Sequence, residues 1–281
     1  MAIRPRKQFG QHWLKSEKAL AQIIIASELK KTDRILEIGP GLGVLTEKIL
    51  PYVDKLLAVE IDRDLCKKLV FKYGKVDNFL LIEGDFLELN LPDILTNFPA
   101  FQNYNKVVAN IPYNITGPII EKLLGTISNP SQKPLESIIL LVQKEVGYRL
   151  VANPNNKTYG ALSVKVQYLA DCEICCDVLA KEFYPRPKVD SVVIKITPKN
   201  IDNPANNPKF LDSLIKLGFA SRRKMLKNNL KSIIEPEKLT NLLSELNIND
   251  NARAENLSVR EWINLSNLLI LTRGLSPLPN H

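Results

Sequence analysis

The 281-residue sequence predicts an α/β fold: a largely parallel sheet with helices on both faces, followed by a small α-helical C-terminal domain. Three observations carry this expectation. Between Arg34 and Lys144, short β-branched apolar runs alternate with amphipathic stretches of helical length. A glycine turn, Gly39-Pro40-Gly41-Leu42-Gly43, joins the first of these runs to its helix. Beyond the Pro- and Asn-rich stretch at 198–208, only helical periodicity remains. The expected division is therefore a domain at 1–200, including a basic N-terminal arm, and a helical domain at 205–281.

In chain order, residues 4–14 (RPRKQFGQHWL) mix cations with Phe9, His12 and Trp13. Two readings stand for them: a frayed basic arm, or a segment that folds over a ligand or touches RNA. Ser16 is expected to cap a helix running to Leu29, with Glu17 at its positive end. The alternating region then gives strands at RILEIG, KLLAVEID, NFLLIEGD, KVVAN and ESIILLVQK, separated by helices at VLTEKILPYV, 63–73 and 116–124. Parallel sheets bind ligands outside the carboxyl ends of their strands. Gly39, Glu60, Asp85 and Asn110 all fall at such ends, so one crevice can collect them. Further on, an apolar segment at 162–166 precedes CEICCDVLAKEF and VDSVVIKIT, expected as antiparallel strands flanking the stiff loop YPRPK. The C-terminal helices are expected at 209–219, 221–233, 235–246 and 258–271.

Composition narrows the function classes. A net charge of +8 favours an anionic partner, nucleic acid before membrane, and a 45% hydrophobic content is that of a globular protein rather than a disordered one. No apolar run approaches the ~18 residues a membrane-spanning helix needs, and the basic N-terminus lacks the apolar centre of a signal peptide. Of the four cysteines, Cys172, Cys175 and Cys176 cluster in CEICC with no histidine nearby, while Cys66 is remote. Reduced cysteines on a strand fit this spacing better than a zinc site, so no metal and a reducing cytoplasm are expected.

The chemistry begins at the glycine turn. Glycines between a strand and a helix N-terminus let the backbone come close to a ligand, and Glu60 at the next strand end suits the two hydroxyls of a ribose. The alternative is a tight turn with no ligand. The spacing departs from the dinucleotide pattern GxGxxG, because the third glycine comes one residue early; S-adenosylmethionine has no pyrophosphate and suits such a turn. Asp85 either accepts a hydrogen bond from the cofactor's adenine amine or caps a helix.

The run KVVAN breaks off into Ile111-Pro112-Tyr113. An adenine exocyclic amine is a poor nucleophile because its lone pair is delocalised into the ring. Carbonyl acceptors can draw its N–H bonds out of conjugation: the side-chain oxygen of Asn110 is one candidate and the backbone carbonyl of Ile111 another. Pro112 pushes Ile111 toward an extended conformation, and Tyr113 can stack on the base, worth ~1–3 kcal/mol. Equally, Asn110 can cap a turn and Tyr113 can be core. Phe183 in EFYPRPKVDS is either strand-end core or a ring on the other face of a flipped base. In the C-terminal region Arg222, Arg223, Lys224, Lys227 and Lys231 stand together without an acidic residue, beside Met225, Leu226 and Leu230; an amphipathic helix with an RNA-binding face is expected.

Taken together, QFGQHWL, LEIGPGLGVLTE, VEID, EGDF, NIPYNI, EFYPRPKVDS, FASRRKMLKNNL and RAENLSVREW, in this order from residue 8 to about 262, resemble the small-subunit (16S) ribosomal RNA adenine dimethyltransferase family. The resemblance implies a Rossmann-like class I S-adenosylmethionine-dependent methyltransferase fold. It implies cofactor contacts at His12, Leu14, Gly39, Gly41, Glu60, Ile61, Asp85, Phe86 and Asn110. It further implies that Asn110, Ile111, Pro112 and Tyr113 hold the target adenine and that Phe183 stacks on its other face. Many relatives carry Asn-Phe or His-Phe where this chain has His12-Trp13. The implied activity is dimethylation of two adjacent adenosines near the 3′ end of small-subunit rRNA, with a role in subunit biogenesis, by a cytoplasmic monomer whose partner is the small ribosomal subunit and not a membrane. Two neighbouring readings are a macrolide-resistance-type enzyme acting on large-subunit rRNA and a mainly non-catalytic ribosome-assembly factor. An NAD-dependent oxidoreductase fits the glycine turn but explains neither NIPY nor the basic segment.

Overall fold

Strands buried on both faces of a parallel sheet must be apolar almost throughout, and the alternating region satisfies this. The computed structural model describes residues 5–132 and 135–273, apart from the side chain at position 7. Its principal sheet contains seven strands: β1 (Arg34–Ile38), β2 (Lys55–Glu60), β3 (Phe79–Glu83), β4 (Lys106–Asn110), β5 (Ser137–Gln143), β6 (Ala170–Val178) and β7 (Ser191–Pro198). Their spatial order is β3-β2-β1-β4-β5-β7-β6. β1 pairs in parallel with β2 and β4, β2 with β3, and β4 with β5, whereas β7 runs antiparallel to β5 with Ser191 opposite Gln143. The order reverses direction between β1 and β4, which is where an open α/β sheet leaves a crevice at its carboxyl edge.

The first helices follow local sequence closely. In α1 (Glu17–Ser27) the Ser16 hydroxyl accepts from the Ala19 N–H, as an N-cap should; the helix stops two residues before Leu29 because Glu28 turns left-handed at φ 45°. The short α2 (Val44–Ile49) leaves the glycine turn, and α3 (Arg63–Tyr73) is capped by Asp62 through the Asp64 N–H. α4 (Thr116–Leu124) follows the NIPY segment. At the opposite edge of the sheet a buried ion pair joins Lys106 to Asp33 at 2.8 Å, with both side chains at most 5% exposed. Lys106 Nζ also donates to the carbonyls of Ser27 and Glu28, the open end of α1, and Asn105 donates to the other Asp33 oxygen. Burial alone would raise the Asp33 carboxyl; hydrogen bonds from Lys106, Asn105 and the Lys30 N–H hold it below its usual value. With each polar atom partnered the pair is tolerated, while loss of one member would strand the other at a cost of roughly 3–5 kcal/mol.

The chain divides into two compact units, and their boundary differs from the expected 1–200 and 205–281. Among the described residues, one unit comprises 5–123, 132, 135–147 and 172–198; the other adds 124–131 and 148–171 to the C-terminal helices. The reason lies in the 162–166 segment, which is helix α5 (Ala161–Leu169) and contributes its apolar side to the helical unit. Ala205 N–H donates to the Tyr168 hydroxyl, and Lys165 pairs with Asp212 there. The helical unit also contains α6 (Pro208–Gly218), α7 (Leu226–Asn229), α8 (Pro236–Glu245) and α9 (Val259–Arg273), around a cluster of Tyr159, Phe219 and Trp262.

Two further expectations are corrected. Strand β6 ends at Val178 rather than running through KEF: a 3-10 turn at Ala180–Glu182 intervenes, and the two-residue strand Phe183–Tyr184 pairs instead with Trp13–Leu14 of the arm. The basic segment 221–233 is not one helix. Asn229 Nδ2 donates to the carbonyls of Gly218 and Ser221, closing a turn after α6, and only Leu226–Asn229 is helical beyond it. Among the described residues, no helix is long and apolar enough to cross a membrane, and no cluster of three or more His, Cys, Asp or Glu side chains is placed to hold a metal ion.

Candidate active site

Parallel pairing brings the ends of β1, β2, β3 and β4 to one edge, and a pocket opens there. Gly39, Gly41, Glu60, Ile61, Asp85, Phe86, Asn110, Ile111, Pro112 and Tyr113 line it, joined by His12 and Leu14 from the arm. Every expected site residue is thus brought together except Phe183. That ring is 2% exposed and packs among Leu14, Leu20 and Val178, because pairing with Leu14 turns it into the core; the neighbouring Tyr184, 56% exposed, is the accessible ring of that loop.

The glycine turn works as its sequence suggests. Gly39 and Gly41 hold φ of 68° and 60°, a region that penalises any side chain, and so the backbone can pass close beneath a ligand. Gly39 N–H donates to Val59 O, and Gly41 N–H donates to Glu60 Oε2 at 3.0 Å. Glu60 Oε1 accepts from the Asp62 N–H at 2.9 Å. The backbone N–H groups of Gly41, Asp62 and Ile61 do not exhaust the acceptor positions of the two oxygens, which leaves room for a hydroxyl donor. Burial raises the Glu60 carboxyl above its usual value, and the backbone N–H bonds from Asp62 and Gly41 oppose that rise. Asp85 does not cap a helix as its alternative reading had it: one oxygen accepts from the Leu87 N–H and closes a turn, and Asp85 also lines the pocket. Lys122 covers Phe86 from outside, with Nζ 5.2 Å from the ring centre.

At the end of β4, Asn110 Nδ2 donates to the carbonyl of His12 at 3.1 Å. This fixes the amide so that Oδ1 is left as its acceptor. Pro112 itself sits at φ −60°, ψ 136°, in the extended region. The Tyr113 hydroxyl is 2.7 Å from Ser191 Oγ, which anchors the ring, and the His12 ring stacks beside it with centroids 5.7 Å apart at 18°. His12 Nδ1 lies 2.7 Å from Pro185 O, so the ring carries its proton on Nδ1. The arm is therefore not frayed where it passes the pocket. Gln11 Nε2 donates to Asp62, and Arg6 pairs with Asp62 and Asp64.

Sequence reasoning missed three contributors. Trp13 and Gln11 line the pocket only because the arm is tied down by partners far along the chain, and no local pattern signals that pairing. Glu37, in the interior of β1, reads as part of a strand; its side chain is buried beneath the glycine turn and accepts from Thr46 Oγ1 at 2.7 Å. Among the described lining residues there are three carboxyls, Glu37, Glu60 and Asp85, and no Lys or Arg. Such a lining suits a ligand that presents hydroxyls, amines or positive charge, and it is hostile to a pyrophosphate.

Burial pushes the Glu37 carboxyl up to about 8; the hydrogen bond from Thr46 opposes this and the neighbouring Glu60 charge adds to it. The folded chain therefore binds an extra proton there between the ordinary carboxylate range, near 4.5, and about 8. The stability this confers is full below that window and is lost as pH rises through it. Glu37→Gln keeps the acceptor for Thr46 and removes the titration. Urea unfolding is expected to show wild-type stability falling relative to Glu37→Gln between about pH 5 and pH 8 and running parallel to it above, whereas parallel profiles throughout would mean that Glu37 stays ionised.

Comparison with known proteins agrees with this geometry. The family model described as ribosomal RNA adenine dimethylase matches residues 2–271. A relative from Nostoc sp., named ribosomal RNA small subunit methyltransferase A, is 60% identical over 95% of this chain and 98% of its own; one of the same name from Trichormus variabilis is 61% identical with the same coverage. Among solved structures, a dimethyladenosine transferase from Plasmodium falciparum superposes with a TM-score of 0.77 at 27% identity, covering 94% of this chain and 99% of that one. The 23S rRNA methyltransferase ErmE shares the fold, with a TM-score of 0.70 at 23% identity over 92% and 99% of the two chains. With its sheet order, its glycine turn and its NIPY tip in place, the chain belongs to the ribosomal RNA adenine dimethylase family.

Proposed function

We propose that this chain transfers methyl groups from S-adenosylmethionine to the N6 amines of two adjacent adenosines near the 3′ end of 16S rRNA in the small ribosomal subunit. The observation that carries the proposal is the Asn110 amide, whose NH2 is held by His12 O and whose Oδ1 remains as an acceptor beside Tyr113 at the carboxyl end of β4. Bound in the pocket, the cofactor supplies an electrophilic sulfonium methyl. Glu60 takes the ribose hydroxyls, Asp85 the adenine amine, and the glycine turn lets the backbone approach closely. No cation competes with the sulfonium among the described lining residues, which also counts against a dinucleotide.

On the acceptor side, Asn110 Oδ1 and the Ile111 carbonyl take the two N–H bonds of the target amine and localise its lone pair for attack. Tyr113, anchored through Ser191, provides the face against which the base stacks. These residues act by positioning and electrostatics. After the first transfer the amine has one N–H left, so this grip must tolerate the loss of one hydrogen bond.

In the helical unit the basic segment is offered to RNA, with one change from its sequence reading. Arg222 donates to the carbonyls of Lys157 and Tyr159 and pairs with Glu255, so it braces the unit. Arg223, Lys224 and Lys231 are exposed and suit phosphate contacts. With the activity go a cytoplasmic location, a monomer acting on a far larger substrate, and a part in small-subunit assembly. The macrolide-resistance reading is not favoured, because relatives at about 60% identity carry the small-subunit name.

Labelled cofactor incubated with unmethylated small subunits, large subunits or naked rRNA tests the assignment: label is expected on small subunits. Label confined to large subunits would move the target, and label on none would favour an assembly factor without catalysis. Arg223→Gln/Lys224→Gln is expected to weaken RNA binding and to flatten the slope of log affinity against log salt by roughly 0.7–0.9 for each phosphate no longer neutralised. Cofactor affinity should stay the same. An unchanged salt slope would remove this segment from the RNA interface.

A further inference from the structure

Phe71 is 93% exposed, more than any other large hydrophobic side chain among the described residues. Helical spacing explains why it is not in the core. Leu65, Cys66, Leu69 and Tyr73 are the buried residues of α3, and at 3.6 residues per turn Phe71 falls opposite them. The outer face of an amphipathic helix is normally polar. A bare ring at the centre of that face contributes nothing to the packing of α3, and Val70 and Val76 are exposed near it in sequence.

The rest of this face carries excess positive charge. Between positions 63 and 77, Arg63, Lys67, Lys68, Lys72 and Lys75 are exposed against two acidic residues, Asp64 and Asp77. Lys72 pairs with Glu47, and Asp64 is shared between Arg6 and, at 3.9 Å, Lys67. Arg63, Lys68 and Lys75 pair with no carboxylate among the described residues. Lys67 and Lys68, four and three residues before Phe71, are its neighbours on the helix surface. Lys75 follows just past the helix end.

This combination selects among occupants. Protein interfaces gather several apolar groups at their centre and are depleted in lysine, whereas here one ring stands among cations. A second copy of the chain would set lysines against lysines. Single-stranded nucleic acid needs what the face offers, a π surface for a base and cations for the adjoining phosphates. The face also begins at the pocket rim, since Ile61 lines the pocket and Asp62 caps α3. Phe71 lies eight residues, about 12 Å, along the helix from Arg63.

We propose that the outer face of α3 is a further RNA-contacting surface, where Phe71 stacks on an unpaired base and Lys67, Lys68 and Lys75 meet the flanking phosphates. This rests on the rRNA-substrate reading. It holds RNA outside the pocket, and so it acts on RNA affinity and leaves cofactor binding alone.

Phe71→Ala removes a ring that the core does not use, and its unfolding midpoint should match that of wild type. Its Kd for naked unmethylated 16S rRNA is expected to rise about tenfold, as for loss of one stacked base. Phe71→Trp should bind that RNA as wild type does, and the Kd for S-adenosylhomocysteine should be the same for all three proteins. Replacement of Phe71 by p-azidophenylalanine, followed by irradiation on unmethylated small subunits, should attach the chain to rRNA. Attachment to ribosomal protein alone, or to neither, would overturn the proposal, as would equal rRNA affinity for wild type and Phe71→Ala. Failure of the wild-type protein to bind rRNA, naked or in small subunits, would overturn the substrate reading and this surface with it.

Discussion

Parallel strand pairing is the constraint from which the rest of this structure follows. Because β1, β2, β3 and β4 run the same way, their carboxyl ends share one edge, and residues far apart in sequence converge there. Gly39, Glu60, Asp85 and Asn110 each stand at or just beyond the end of a different strand, and the reversal of strand order between β1 and β4 leaves the space between them. At the opposite edge the Lys106–Asp33 pair ties β4 to the open end of α1. Buried ionic groups of this kind fix geometry more than they add stability.

The second organising interaction is the hydrogen bond between Asn110 and the His12 carbonyl. It joins the strand tip to the arm and decides which end of the amide is available for chemistry. An amide free to rotate would present NH2 and oxygen alternately, and only the oxygen can polarise an amine. The same arm places His12 against Tyr113 and Trp13 against the glycine turn, so both halves of the pocket depend on one short segment held by Arg6, Gln11 and the pairing with Phe183–Tyr184. A chain that must exchange cofactor is well served by a wall attached through a two-residue strand and a few polar contacts.

Much of this was legible in the sequence, and the reasons for success and failure are physical. The strands of the sheet are continuous apolar runs with turn signals between them, so their existence and order along the chain can be read directly. The residues at their ends follow from that order, and Glu60, Asp85 and Asn110 needed no further information. What could not be read was long-range pairing. Phe183 sits at a strand end beside a stiff proline loop, which suits either core or pocket; only pairing with Leu14 decides for core. Likewise the 221–233 pattern has helical periodicity, but Asn229 competes for the Gly218 and Ser221 carbonyls and breaks it. The 162–166 segment was too short to classify by periodicity, and the unit it joins moved the domain boundary with it.

The central claim is that Asn110 activates the target amine and does not merely shape the pocket. Single-turnover methyl transfer by Asn110→Ala, measured beside its cofactor affinity and its unfolding midpoint, tests this most directly. Loss of a preorganised polar group that acts in the transition state costs about 10²–10³ in rate. A loss of that size is expected for Asn110→Ala, with cofactor affinity and stability largely retained. Near-normal turnover in the folded variant would contradict it.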